Sequence, residues 1–229
     1  MAGLEVITAP TSNPIALSEA KSFLRIDTND DDTLINTIIA ASREYFEEYT
    51  GRTLISTTYK LSLDGFGEDN IPIQEGFYTA PYMTFHKRYI ELPRPPLVSV
   101  THVKTFDEDN TESTYASSKY HIDSARNPAR IILKEGETWP TDLRVANGVE
   151  ITYVGGYGSA SDVPQSIKVG LREHITYLYE HRGDVEQNLA NFPLLAKQLY
   201  QPFRVLNFSR DSFSNAGGYW CLLVKWDIE

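Results

Sequence analysis

The chain has 229 residues, with 41% hydrophobic and 23% charged positions, which is enough to bury a core and excludes wholesale disorder. Twenty-one Lys plus Arg against 31 Asp plus Glu give a net charge of −10, and no basic run is present, which argues against tight DNA binding. The single Cys221 excludes an intrachain disulfide framework and Cys-rich zinc patterns, and no apolar run reaches the ~18 residues of a membrane helix. Met1–Glu5 shows no secretory pattern, so synthesis in the cytoplasm is expected.

The first fifty residues read as helical. A short helix begins near Glu19 with Ser18 as its N-cap. Asp27 to Asp32 form a polar break. Leu34, Ile35, Ile38, Ile39, Ser42, Tyr45, Phe46 and Tyr49 then recur at three- and four-residue spacing, predicting an amphipathic helix over Asp31–Thr50 with Gly51 as its C-cap. Residues 27–50 hold seven acids against Arg43 alone, net −6; a solvated helix face accounts for most of them.

From Leu54 to Gly158 the pattern turns short, β-branched and aromatic. Strands are predicted at Thr57–Leu63, Arg88–Leu92, Val98–Phe106, Ser113–Tyr115, Lys119–Ile122, Arg130–Leu133 and Val149–Val154. Asp64-Gly65, Pro93–Pro96, Asp107–Asn110, Asn127-Pro128 and Asn147-Gly148 mark turns. Helical periodicity returns at Pro164 and runs to Arg182, where Gly183 ends it; a shorter helix covers Phe192–Tyr200. The expected fold is α+β. Residues 1–53 and 159–205 form a helical bundle, residues 54–158 an inserted antiparallel β-domain, and residues 206–229 an extended C-terminal arm.

Few residues point to chemistry. The five histidines form no metal-binding spacing, and His174 and His181 read as a packed or surface pair. Asp30, Asp31 and Asp32 lack the calcium-loop pattern, and helix capping explains them better. Gly155-Gly156-Tyr157-Gly158 lacks a phosphate-loop lysine and reads as a flexible strand-to-helix joint. No nucleophile motif is present, and no enzyme activity, metal or cofactor is expected. Aromatic residues, at 12%, either fill cores and interfaces or line a carbohydrate- or receptor-binding face on the β-domain.

Two segments suggest contacts. Residues 65–87 carry Phe66, Phe77, Tyr78, Tyr82, Met83 and Phe85, too apolar for an idle loop, and are expected to touch a neighbouring subunit or to fold back on their own sheet. At the C-terminus Trp220, Leu222, Val224, Trp226 and Ile228 alternate strictly, putting five apolar side chains on one face of a strand. The polar stretch 207–218 before them reads as a tether. Such a strand either completes its own sheet or adds to a partner.

The stretches "LSEAKSFLRID", "DDDTLINTIIAASREYFEEYTGRTL", "IELPRPPLVSVTHV" and "VEITYVGGYG…VPQSIKVGLREHITYLYEHRGD" resemble the head–tail connector (adaptor) family of long-tailed double-stranded DNA phages and gene-transfer particles. The resemblance runs from about Leu4 to Val205, with a longer loop at 65–87, and leaves out the C-terminal arm. It implies a structural protein of the virion neck: a homo-oligomeric ring, usually a dodecamer, beneath the portal protein. Such a ring continues the DNA channel without sequence-specific contact, docks the next neck or tail component and has no membrane partner. On that reading Asp30, Asp31 and Asp32 are candidate channel-facing acids. Phe77, Tyr78, Tyr82 and Phe85 are neighbour contacts, and Trp220, Leu222, Val224, Trp226 and Ile228 are portal contacts.

Overall fold

A computed structural model describes residues 3–66, 89–182 and 193–205. Within them the chain is α+β, with antiparallel sheets and four α-helices. The helices are α1 (Leu17–Leu24), α2 (Asp32–Thr50), α3 (Gln165–Glu180) and α4 (Leu194–Tyr200). They surround one apolar core. In it Ile35, Ile39 and Phe46 of α2 meet Ile167, Leu171 and Ile175 of α3, with Ala20 of α1 and Tyr200 of α4 closing the ends.

The stripe on α2 splits. Ile35, Ile38, Ile39, Ser42 and Phe46 are buried, whereas Leu34 and Tyr45 lie on its shoulder and remain exposed. Gly51, at φ 71°, stops the helix as expected, its N–H donating to the Glu47 carbonyl. Ser18 is not a cap: α1 starts one residue before it, and Ala16 stands at the N-cap position. Lys21 ties α1 to α2 through Asp32 at 2.7 Å, and Arg172 of α3 reaches Glu19 of α1 at 3.3 Å.

The helix interior contains one close approach. Gly170 of α3 sits under the Tyr200 ring, and a Cβ there would come within 2.5 Å of Tyr200 Cε1. That lets the ring reach Phe46 edge-on, with centroids 4.7 Å apart.

The strands form two sheets. The larger has the order β1-β2-β8-β4-β5 and the smaller β3-β7-β6. β1 is Gly3–Thr8, β2 Thr57–Leu63, β3 Tyr89–Glu91, β4 Leu97–Phe106, β5 Glu112–Thr114, β6 Tyr120–Asp123, β7 Arg130–Leu133 and β8 Val149–Gly155. β2 and β8 alternate buried and half-buried residues, the period of a strand with one covered face. Their register sets Tyr59 opposite Tyr153, rings 5.6 Å apart. The second core lies between the sheets, where Leu61, Val103, Val149 and Ile151 face Ile131, Leu133 and Tyr120. Phe66, the first aromatic of the 65–87 segment, stacks on Trp139 with ring centroids 4.2 Å apart.

β1 corrects the helical reading of the first fifty residues. It pairs antiparallel with β2 at the edge of the larger sheet, and all six of its residues are exposed. Neither face is buried, and its alternation, Leu4 and Val6 about Glu5, breaks off at Ile7.

The two cores meet where the chain leaves the helices and returns. Ser56 N–H donates to the Gly158 carbonyl (3.0 Å), Tyr157 N–H to Leu54 (2.9 Å) and Gly156 N–H to Pro96 (2.8 Å). Gly156, at φ +128°, lies so close to the Ile55 backbone that a Cβ would approach to 2.7 Å. The expected flexible joint is therefore a tight hydrogen-bonded crossing, and its glycines serve close approach.

Two substitutions test this packing in urea unfolding. Gly170→Ala should lower stability by about 1–3 kcal/mol through overpacking against Tyr200, despite the better helix propensity of alanine. Gly156→Ala should lower it at least as much, because backbone rather than side chain must move; an unchanged midpoint would mean that the crossing is looser than described.

Candidate interaction surfaces

The acidic start of α2 is partly neutralised within the chain. Asp31 stands at the N-cap position but makes no side-chain cap bond. Its Oδ2 instead accepts from the Tyr179 hydroxyl and, at 3.2 Å, from Arg182 Nη1. These donors at the end of α3 hold the Asp31 carboxyl below the usual carboxylate range, the Tyr179 bond contributing most. The capping explanation is thus corrected for Asp31: its carboxylate joins the start of α2 to the end of α3. Asp32 pairs with Lys21, and Asp30 is exposed.

The opposite end of α2 carries a clamp that sequence reasoning missed. Arg94, in the Pro93–Pro96 turn, donates from Nη1 to the Glu47 carbonyl at 2.7 Å and from Nη2 to Glu48 Oε2 at 3.0 Å. A cation on the last carbonyls of a helix satisfies acceptors that the helix leaves open and complements its dipole. The Glu47 side chain accepts from Leu54 N–H at 2.9 Å, and burial pushes its carboxyl above the ordinary value.

Beside this clamp a cleft of about 280 Å³ opens between β1, β2 and the last turns of α2. Leu4, Val6 and Tyr59 supply its apolar lining, and Glu44, Glu47, Glu48 and Arg94 the polar one.

His174 and His181 do not share a site. His174 is buried, its ring edge-on to Tyr45 at 5.1 Å. His181 stacks on Tyr177 at 4.3 Å. Among the described residues no cluster of three His, Cys, Asp or Glu side chains could hold a metal, and no helix is long and apolar enough to cross a membrane. No described aromatic between residues 54 and 158 is exposed, so the sugar-binding reading has no platform among them. Phe77, Tyr78, Tyr82 and Phe85, like Trp220, Leu222, Val224, Trp226 and Ile228, lie outside the described residues.

The described chain ends beside α2. Val205 N–H donates to the Thr50 carbonyl at 2.8 Å, Arg52 Nε donates to the Phe203 carbonyl, and Tyr49 hydroxyl donates to Gln201 Oε1 at 2.8 Å. The last described residue, Val205, therefore lies at the same helix end as the Arg94 clamp.

His174 makes stability pH-dependent. Burial pushes its pKa from 6.5 down to about 4, so between those values the unfolded chain binds a proton that the folded one refuses. The stability supplied by the neutral ring is complete above pH 6.5 and lost as pH falls toward 4, roughly 3 kcal/mol in all. Glu47, raised by burial, has the opposite slope above its unfolded value, so the comparison should be made between variants. Unfolding free energy measured from pH 7.5 to 4 should fall less in His174→Phe than in the parent chain; parallel curves would show that His174 protonates freely in the fold.

Three solved structures share the fold. One, described as the neck of an empty gene transfer agent (GTA) particle computed with C6 symmetry, superposes with a TM-score of 0.70 at 21% identity over 91% of this chain and 98% of that one. A virion of a native gene transfer agent particle gives 0.69 at 20% identity over 90% and 97%. The neck of a native GTA particle computed with C12 symmetry gives 0.65 at 21% over 91% and 98%. No curated protein matches the chain in sequence. Residues 14–126, from just before α1 to just past β6, match the family described as phage gp6-like head-tail connector protein.

Proposed function

We propose that the chain is a structural, non-enzymatic subunit of a particle neck. Twelve copies form a ring beneath the portal, continue the DNA channel and dock the next neck or tail component. The observation that carries this reading is the family match, extended by a fold shared over nearly the whole length of subunits from particle necks with C6 and C12 symmetry. Closed rings need a heterologous interface, one patch meeting a different patch on the next copy. Phe23, Leu34, Tyr45 and Val169, on α1 to α3, are exposed apolar or aromatic side chains suited to such a seam. The loop residues Phe77, Tyr78, Tyr82 and Phe85 are proposed to add to it.

The net charge of −10 suits a channel through which DNA slides, because acidic walls do not hold phosphates. Asp30, Asp31 and Asp32 are the proposed channel-facing acids. The alternating segment Trp220, Leu222, Val224, Trp226 and Ile228 is proposed to add a strand to the portal. Burying five such side chains yields on the order of 10 kcal/mol gross, most of which association costs consume for a single tail. Repetition around the ring turns weak sites into firm attachment.

Mixing the purified chain with portal rings from the same particle and imaging the complexes tests this reading. Twelve subunits per portal are expected, and a chain that stays monomeric without associating would overturn it. Leu34→Glu or Val169→Glu should reduce ring formation while leaving the unfolding free energy within about 0.5 kcal/mol of the parent, since both are exposed. Trp220→Ala with Trp226→Ala should leave a folded subunit that has lost the portal.

A further inference from the structure

The outer edge of β1 presents an apolar template. Among the described residues β1 is paired only on its β2 side. Leu4 stands opposite Leu61 and Val6 opposite Tyr59, so both belong to the face that buries Leu61 and Tyr59. Yet Leu4 is 40% and Val6 53% exposed, because nothing described lies beyond them. The other end of this sheet is different: β5 offers only Glu112, Ser113 and Thr114. An open edge with exposed apolar residues on one face invites a further strand.

The chain contains a segment of matching period. In an extended conformation Trp220, Leu222, Val224, Trp226 and Ile228 would share one face, with Tyr219, Cys221, Leu223, Lys225 and Asp227 on the other. Its root lies close to the template. Val205 is bonded to Thr50, and Glu47 and Glu48, on the preceding turn of α2, line the cleft under Leu4 and Val6. Residues 206–218 span about 45 Å at full extension, ample for that path. A tether also holds its end at an effective concentration on the order of millimolar, so a contact too weak between separate molecules persists within one chain.

We infer that in the unassembled subunit residues 219–229 add to the free edge of β1, their apolar face beside Leu4 and Val6, and leave it for the portal on docking. The release step rests on the portal reading above; the parked strand does not. The device covers five large apolar side chains until the partner is present. A ring of portal sites acting together then outcompetes twelve separate internal contacts.

Cys221, the only native cysteine, supplies the probe. Glu5 and Gly3 lie on the face of β1 opposite Leu4, the side on which Cys221 would fall. In the full-length chain, Glu5→Cys and Gly3→Cys allow for two registers, with Val145→Cys, at a site 95% exposed, as control. Under mild oxidation of the unassembled protein, an intrachain disulfide should form at least tenfold faster in a β1 variant than in the control. The linked form should bind the portal at least tenfold more weakly than the same protein after reduction. No preferential link in either β1 variant would overturn the inference, and so would a link joining two chains, which makes a second copy the occupant. A linked chain that binds the portal undiminished would overturn the release step. If the link forms but the reduced chain ignores the portal, the portal reading and the release step fall together, and the parked strand stands.

Discussion

Everything in this molecule hangs on one backbone crossing. Leu54 and Ile55 belong to the helical core, while Thr57 and Tyr59, only a few residues on, are buried in β2. The return strand β8 passes the same point, and Gly156 lies against the Ile55 backbone where no side chain fits. Three backbone hydrogen bonds close the crossing, and Thr53 N–H adds a fourth to the Pro95 carbonyl at 3.1 Å. Hydrogen bonds are directional where apolar contacts are not. The orientation of the sheets relative to the helices is thus set by geometry at a few peptide groups. Arg94 reinforces it from one side by holding the last turn of α2.

This crossing also explains the placement of charge. Glu47 is held partly buried because its carboxylate caps Leu54 N–H and its carbonyl receives Arg94. At the other end of α2, Asp31 and Asp32 are spent on α3 and α1. The acidic helix therefore uses both ends to fix its neighbours, and even its exposed Glu44 and Glu48 stand against Arg43 and Arg94.

Elements with one buried face were legible. The stripe from Ile35 to Phe46 and the stop at Gly51 placed α2 to within a residue, and alternation placed β2 and β7 at their observed ends. β1 was illegible because both its faces are exposed and its alternation is confined to Leu4–Val6. Ser18 misled because a favourable N-cap residue is equally at home in a first turn. The long-range ties had no local signal. Tyr179 lies 148 residues from Asp31, and Arg94 meets Glu47 across 47, separations that spacing rules do not reach. The double glycine was read for freedom when its purpose was proximity, a distinction that needs the opposing Ile55 backbone.

β1 is exposed along its whole length and depends on its neighbours for its order. β1 contributes no residue to either core and is held by its ladder to β2 and by the Glu5–Lys60 pair at 2.7 Å. That pair is largely solvated and adds little. Local opening of such an edge costs far less than global unfolding. A strand laid along its outer side would cover Leu4 and Val6 and convert β1 from an edge into an interior strand. The stability of β1 and the occupancy of its outer edge are then linked, since whatever binds only the ordered strand also stabilises it. An edge left this open is suited to an exchangeable contact, because it can lose its outer neighbour without disturbing the crossing that holds the two cores together.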